Sequence, residues 1–329
     1  MTINKQIIAL KEAIVSGERS LIFDEAMFLS RLSSFNDLLQ LFACANAIRQ
    51  LFRGNVVDLC AITNAKSGNC SQDCSFCAQS SRHNTHVNTH SLLSQEEMVA
   101  RAKKAYAQGT KRFCIVTSGC SVEAEEFETI CRAIKEIKEK FPLLKMDASL
   151  GKLSREQAQQ LKEAGLDRYN HNIETDESFF KNICTTHSFS DRLRTLEFVK
   201  EAGIERCCGG IIGLGESDEE RVRMAFRIKE LDVDCVPVNF LNPIKGTPLE
   251  NNHIPEPVTL LKLISVYRFI LPDKQIRICG GRQANLRSMQ SMIFYAGADA
   301  IIMGDYLTTK GSEPHVDLQM IEDAGLQVG

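Results

Sequence analysis

No stretch of this 329-residue chain approaches the roughly 20 apolar residues that a bilayer-spanning helix needs, and the polar opening MTINKQ lacks the apolar core of a secretion signal. Nor do basic residues cluster. Lysine and arginine number 39 against 42 acidic residues, a net charge of −3 spread along the chain, so the basic surface that neutralises nucleic-acid phosphates is missing. Internal repeats, low-complexity tracts and Pro- or Gly-rich linkers are also lacking, which disfavours a solenoid or a string of domains. The expectation is a cytoplasmic protein with neither a membrane nor a nucleic acid among its partners.

Cysteine is what the chain has in abundance, 13 in all. In a reducing compartment these are thiols or metal ligands rather than disulfides. Cys44, Cys60, Cys131, Cys184 and Cys235 each sit among apolar neighbours and read as core thiols.

The first 50 or so residues carry apolar positions at helical spacing in INKQIIALKEAI, DEAMFLSRL and NDLLQLFACANAIRQLF. After Val56 short β-branched runs alternate with amphipathic stretches, the first of these opened by Ser94 with Glu97 three residues on, a capping box. Eight strand candidates follow in order: VDLCAI, KRFCIV, LLKMDAS, DRYNHNI, IERCCGGII, CVPVNFL, QIRIC and DAIIMG. Helices are predicted near 123–140, 154–164, 217–231, 257–270 and 284–296. Strand–helix alternation eight times over is the pattern of an α/β (β/α)8 TIM-type barrel, with its chemistry at the C-terminal ends of the strands. The predicted organisation is an N-terminal helical extension, 1–52, followed by one barrel domain, 53–329.

The sharpest local signal is NCSQDCSFCAQSS, which sets Cys70, Cys74 and Cys77 in C-x3-C-x2-C spacing after the first strand candidate. A structural zinc site wants four ligands, commonly as two separated pairs, and no second pair with finger-like spacing follows. Three thiolates on a [4Fe–4S] cluster leave one iron free for another ligand. This spacing is similar to that of the radical S-adenosylmethionine enzymes, in which the free iron takes the amino and carboxylate groups of that cofactor. In that superfamily the aromatic at the position of Phe76 packs near the adenine.

Further segments, SGNCSQDCSFCAQSSR, KRFC, AGLDRYNHNIETD, GGIIGLGES, VPVNFLNPIKGTPL and IRICGGR, fall in order, and together the chain resembles the biotin synthase family. The resemblance implies that Asn170 and Asn239 touch dethiobiotin, and that Asn172 and Glu174 hold the ribose of S-adenosylmethionine. Glu174 stands where the family more often has Asp. Arg192 would pair with the methionine carboxylate, a task suited to a guanidinium. The run from Gly209 to Glu216 lacks the order of a dinucleotide fingerprint. It fits instead the G-x-I-x-G-x-x-E pattern of the superfamily, with Gly209, Ile211, Gly213 and Glu216 beside the adenine.

The family also carries an auxiliary [2Fe–2S] cluster as sulfur donor, held by three Cys and one Arg. Matching motifs bring Cys114, Cys207 and Arg277 to those places, while the remaining Cys position falls near Asp147. Cys279 lies two residues beyond Arg277 and shares its strand face, whereas Cys208 should face away from Cys207. The expectation is an auxiliary cluster on Cys114, Cys207 and Cys279, of [2Fe–2S] or another type, with the fourth ligand among Asp147, Cys120 and Arg277. The resemblance further implies a flavodoxin or ferredoxin donor and a homodimer. Two other readings stand beside it: a related radical enzyme of the hydrogenase-cofactor maturase or methylornithine synthase type, and a non-catalytic iron–sulfur carrier.

Overall fold

In the computed structural model, which describes residues 2–329, ten strands and twelve α-helices are distinguished. The strands are β1 (Val56–Lys66), β2 (Arg112–Thr117), β3 (Lys145–Ser149), β4 (Arg168–Asn170), β5 (Glu205–Cys207), β6 (Gly210–Ile212), β7 (Cys235–Phe240), β8 (Gln275–Ile278), β9 (Ala300–Ile302) and β10 (Gln327–Val328). The helices are α1 (Ile3–Val15), α2 (Phe23–Ser30), α3 (Phe35–Arg53), α4 (Gln95–Ala107), α5 (Ala124–Lys140), α6 (Arg155–Glu163), α7 (Phe189–Glu201), α8 (Asp218–Glu230), α9 (Pro257–Ile270), α10 (Arg282–Leu286), α11 (Met292–Tyr295) and α12 (Pro314–Asp323). All pairings are parallel, and β1 bonds to both β2 and β9, so the sheet closes.

The barrel has eight strand positions, because β5 and β6 are one strand interrupted at Cys208–Gly209, with both pieces pairing to β7. The fifth strand was expected to be continuous. A Cβ on Gly209 would come within 1.9 Å of the Pro237 carbonyl, so the backbones there approach too closely for a regular ladder. The helix expected at 284–296 is likewise broken, into α10, a 3₁₀ turn and α11, at Arg287, whose φ is +53°. Strand β10, which adds to the outer end of β1, carries too short a run to be read from the sequence.

Serine side chains cap α3, α4, α6, α7 and α8, and for the last four this sets where the βα loop ends. Ser94 and Glu97 form the predicted capping box at 2.8 and 3.2 Å, and Ser154, Ser188 and Ser217 open α6, α7 and α8 in the same way. Helix α5 shows the packing logic: Phe127, Ile130, Ala133, Ile134 and Ile137 form one buried stripe against β2 and β3. The N-terminal helices cover the other side, α3 lying on α9 and α2 on α8 and α9. No helix among the described residues is long and apolar enough to cross a membrane.

The carboxylate of Asp167 ties β3 to β4, accepting from the Met146 N–H at 2.8 Å and from Lys138 and Lys145 at 2.9 and 3.2 Å. Burial works against its charge, but the Met146 N–H and Lys138 outweigh that and hold its pKa below the ordinary 3.8. A depressed carboxylate stabilises the fold above its unfolded pKa and loses that contribution as pH falls through the folded value. Asp167→Asn should therefore lower stability at neutral pH and flatten the stability profile below about pH 4, as read by denaturant titration across pH. An unchanged acid limb would remove Asp167 from this role.

Candidate active site

Inward-facing residues alternate along the strands and stack in layers. Near the strand starts lies a belt of charge. Arg112 pairs with Asp147 at 2.6 Å, Arg277 with Asp58 at 2.8 Å and Arg168 with Glu205 at 2.8 Å. One alternation further along come thiols, Cys60 after Asp58 and Cys114 after Arg112, and beyond them amides and small polar groups. The belt closes one end of the barrel with paired ions, so the site opens only toward the βα loops.

Above the belt is a cavity of about 280 Å³ whose wall includes Cys60, Cys114, Cys207, Cys279 and Arg277. The structure thus gathers three expected auxiliary thiols and the expected arginine. It adds Cys60, which was expected to be a core thiol; on β1 it shares a face with Asp58 and Ile62 and so points into the barrel. Cys235, also expected in the core, is buried and pairs in register with Cys207 across β5 and β7. Cys208 faces away, into the apolar core, as the alternation requires. Asp147 lies fully buried against Arg112, with Arg277 at 3.7 Å, and is not part of the cavity wall. Cys120 lines a different cavity.

Burial pushes the thiol of Cys60 up to about 12 and those of Cys114 and Cys207 well above the ordinary value. Cys235 is the exception: burial opposes its charge, but the Cys207 thiol, Arg277 and Arg168 together pull it below the ordinary value. Thiols held protonated by burial beside a buried guanidinium suit a metal that displaces their protons, since the ion supplies the missing countercharge. The Nε of Arg277 has no partner, and it too borders this space.

A second cavity adjoins the first, because Phe76, Ser149, Asn170 and Asn172 line both. Its wall carries Cys70, Cys74 and Cys77 together with Glu174, His187 and Arg192. The cysteine loop is held by its own backbone: the Cys70 N–H donates to Gln79 O at 3.0 Å and the Cys77 N–H to Cys74 O at 2.9 Å. Asn170 sits where the two cavities meet. Its Nδ2 donates to Cys114 Sγ at 3.1 Å, while its Oδ1 is buried with no partner, an acceptor left for a bound molecule.

Arg192 is buried on α7 rather than a surface charge, and donates from Nη1 to Asn172 O at 2.8 Å and to Glu174 at 3.4 Å. Glu174 takes a left-handed backbone, φ +69°, which turns its side chain into the cavity beside Asn172. Burial raises its pKa, against the pull of Arg192 and Asn172. Such an acid, an amide and a guanidinium around one space match a polar, partly anionic ligand with hydroxyl groups.

Of the glycine segment only Ile211 borders a cavity. Gly209 is required by the Pro237 carbonyl, and its N–H donates to Asn172 Oδ1 at 3.2 Å, so it positions that amide. Gly213 adopts φ +103°, and its N–H donates to Glu216, which is itself paired with Arg221 at 2.6 Å; this is a turn-holding set set back from both cavities. Asn239 lines the first cavity with its amide aimed by Gly210 O at 3.2 Å and the Gly280 N–H at 3.0 Å. Residues 306–309, Tyr306 to Thr309, also close that cavity, and no local motif announces them. Cys184 is buried in the core as expected, and also lies 3.8 Å from Cys74, sulfur to sulfur.

The donor set fits an iron–sulfur cluster with a cofactor beside it, and comparison with known proteins agrees. Residues 65–228 match the radical SAM superfamily and residues 237–327 match the biotin and thiamin synthesis associated domain. Among solved structures, methylornithine synthase superposes with a TM-score of 0.84 at 21% identity, covering 97% of each chain. The FeFe-hydrogenase maturase HydG from Carboxydothermus hydrogenoformans gives 0.82 at 18%, covering 98% of this chain and 79% of that one. Those likenesses concern the fold. In sequence, the chain is 46% identical to biotin synthase of Carboxydothermus hydrogenoformans over 98% of this chain and 99% of that protein, and 46% identical to biotin synthase of Geobacter metallireducens over 99% and 98%. With that identity sustained along nearly its whole length, the chain belongs to the biotin synthase family of the radical S-adenosylmethionine superfamily.

Proposed function

We propose that this chain inserts sulfur between C6 and C9 of dethiobiotin to make biotin, consuming S-adenosylmethionine. One observation carries the reading: a three-cysteine cavity with Arg192 and Glu174 adjoins a thiol-lined cavity across Asn170 and Asn172. A radical made in the three-cysteine cavity would then meet substrate and sulfur in the thiol-lined cavity without crossing solvent.

When bound, a [4Fe–4S] cluster at Cys70, Cys74 and Cys77 supplies the electron that splits S-adenosylmethionine, and an auxiliary cluster supplies sulfur. The protein's own part is placement. Arg192 offers a guanidinium to the methionine carboxylate, Asn172 and Glu174 offer an amide and a carboxylate to the ribose, and Phe76 and Ile211 offer apolar faces to the adenine. Asn170 and Asn239 orient the substrate's polar ring. Gly209, Gly213 and Glu216 act at one remove by holding Asn172 and the turn after β6. For the auxiliary site we infer Cys60, Cys114, Cys207 and Cys279 with Arg277 alongside. Asp147 is held by Arg112, and Cys120 lies in the other cavity, which leaves Cys60 the better fourth ligand. Exclusion of water and alignment matter because an unquenched radical attacks the nearest C–H bond.

The reading brings with it a flavodoxin- or ferredoxin-type donor, a homodimer, a cytoplasmic location, and a division near residue 53 between helical extension and barrel. It predicts that reconstituted enzyme, S-adenosylmethionine and dithionite yield 5′-deoxyadenosine at a rate raised by dethiobiotin, with biotin as product. An iron–sulfur carrier would yield none. A radical enzyme acting on another substrate would show no dependence on dethiobiotin. Iron and sulfide counts on Cys60→Ala and Cys279→Ala then test the auxiliary set; a second cluster that survives both unchanged removes these residues from it.

A further inference from the structure

Cys184 lies just after the 3₁₀ segment at Phe180–Asn182, buried at the edge of the apolar core with its thiol turned toward polar partners. Its Sγ lies 3.8 Å from Cys74 Sγ, 3.2 Å from His187 Nδ1 and 3.8 Å from His187 Nε2. One donor atom from each of these three residues falls within 4.8 Å of the others. Two sulfurs bound tetrahedrally to one ion at about 2.3 Å stand about 3.8 Å apart, and a sulfur–imidazole pair about 3.6 Å apart. Both spacings are already present in the protein.

The frame around these atoms is rigid. The Asp73 carboxylate accepts from the N–H groups of Thr185 and Thr186 at 3.0 and 3.2 Å, and from the Thr186 hydroxyl at 2.8 Å, clamping the turn onto the cysteine loop. Gln72 Oε1, 2.9 Å from His187 Nδ1, accepts its proton and puts the lone pair on Nε2, where it accepts from Arg192 Nε at 3.1 Å, a contact the ion would replace. A hydrogen-bonded second nitrogen is the usual support of a metal-bound imidazole. A surface cleft lined by Lys181, Thr185, Thr186 and Ser188 reaches Cys184 and His187 from outside, His187 also lining the second cavity with Cys74, and gives an ion an entry path.

We propose that, in the cluster-free chain, Cys74, Cys184 and His187 bind one thiophilic divalent transition-metal ion with water in the fourth position. Because Cys74 cannot serve both, this occupancy and the [4Fe–4S] cluster exclude one another, a point that rests on Cys74 being a cluster ligand.

The test uses the full chain, stripped of clusters by a chelator under reductant and titrated anaerobically with Co(II). The expected result is one ion per chain, with tetrahedral visible bands and thiolate-to-cobalt absorption in the near ultraviolet. Cys184→Ser and His187→Gln should each cost the tetrahedral thiolate–cobalt spectrum at one equivalent of Co(II), while Cys70→Ser and Cys77→Ser leave binding unchanged. Unaltered affinity in folded Cys184→Ser and His187→Gln overturns the proposal, and so does loss of binding in Cys70→Ser or Cys77→Ser, which would put the ion among the cluster cysteines. A cobalt spectrum at full strength beside a reconstituted cluster overturns the sharing of Cys74. None of these readouts depends on turnover, so they stand or fall apart from the activity on dethiobiotin.

Discussion

Replacing Cys70, Cys74 and Cys77 together by alanine is expected to remove one cluster's worth of iron and sulfide per chain and reduce 5′-deoxyadenosine formation to background. The auxiliary iron should remain, because its thiols lie in the adjoining cavity. Nothing else lining the second cavity can replace three thiolates as both anchor and electron path. Substitutions among the surrounding residues should be milder by comparison. Arg192→Leu removes a charged hydrogen-bond donor but leaves the cluster in place, so S-adenosylmethionine binding should weaken by about 1.5–3 kcal/mol, roughly ten- to hundredfold. Elemental analysis, product quantitation and calorimetric titration separate the two outcomes. Residual 5′-deoxyadenosine at more than a few per cent in the triple variant would contradict the assignment.

Arg268→Leu should be the most damaging single change to stability. The guanidinium is fully buried on α9 and pairs with Asp299 at 2.6 Å while donating to the carbonyls of Gly297, Leu271, Pro272 and Lys274 at 2.7–3.2 Å. Burial pulls its pKa down to about 10, with Asp299 acting against that, so it stays charged at neutral pH. Asp299 in turn bonds the Ile276 N–H and Arg53, joining β8, the start of β9 and the end of α3. Deleting the cation leaves the Asp299 carboxylate with Arg53 as its one counter-charge and strands several buried carbonyls, at about 3–5 kcal/mol. A fall in melting temperature of roughly 10 °C follows for a domain of this size. A loss under about 1 kcal/mol in reversible unfolding would show that the network relaxes around the missing group.

Much of this was legible along the chain. The eight strand candidates correspond to the barrel strands, and the Ser94–Glu97 capping box forms where the sequence puts it. Cys70, Cys74 and Cys77 were legible because their ligand spacing is local. Cys60 was missed although its signal was available: read with period two, Asp58, Cys60 and Ile62 face the barrel interior, and apolar neighbours in a strand do not bury a thiol in the core. Cys184 carried no such signal, since its partner Cys74 lies 110 residues away in the chain.

What the amino-acid order determined by itself was periodicity, capping and the triplet, all set by interactions within a few residues. Only the closed barrel decided that Arg192 faces the second cavity rather than solvent, that Asp147 faces Arg112 rather than the thiols, and that Gly209 packs on the Pro237 carbonyl. Those outcomes depend on which strand lies beside which and on how inward side chains share one interior, a competition for space and charge that exists only once the sheet has closed.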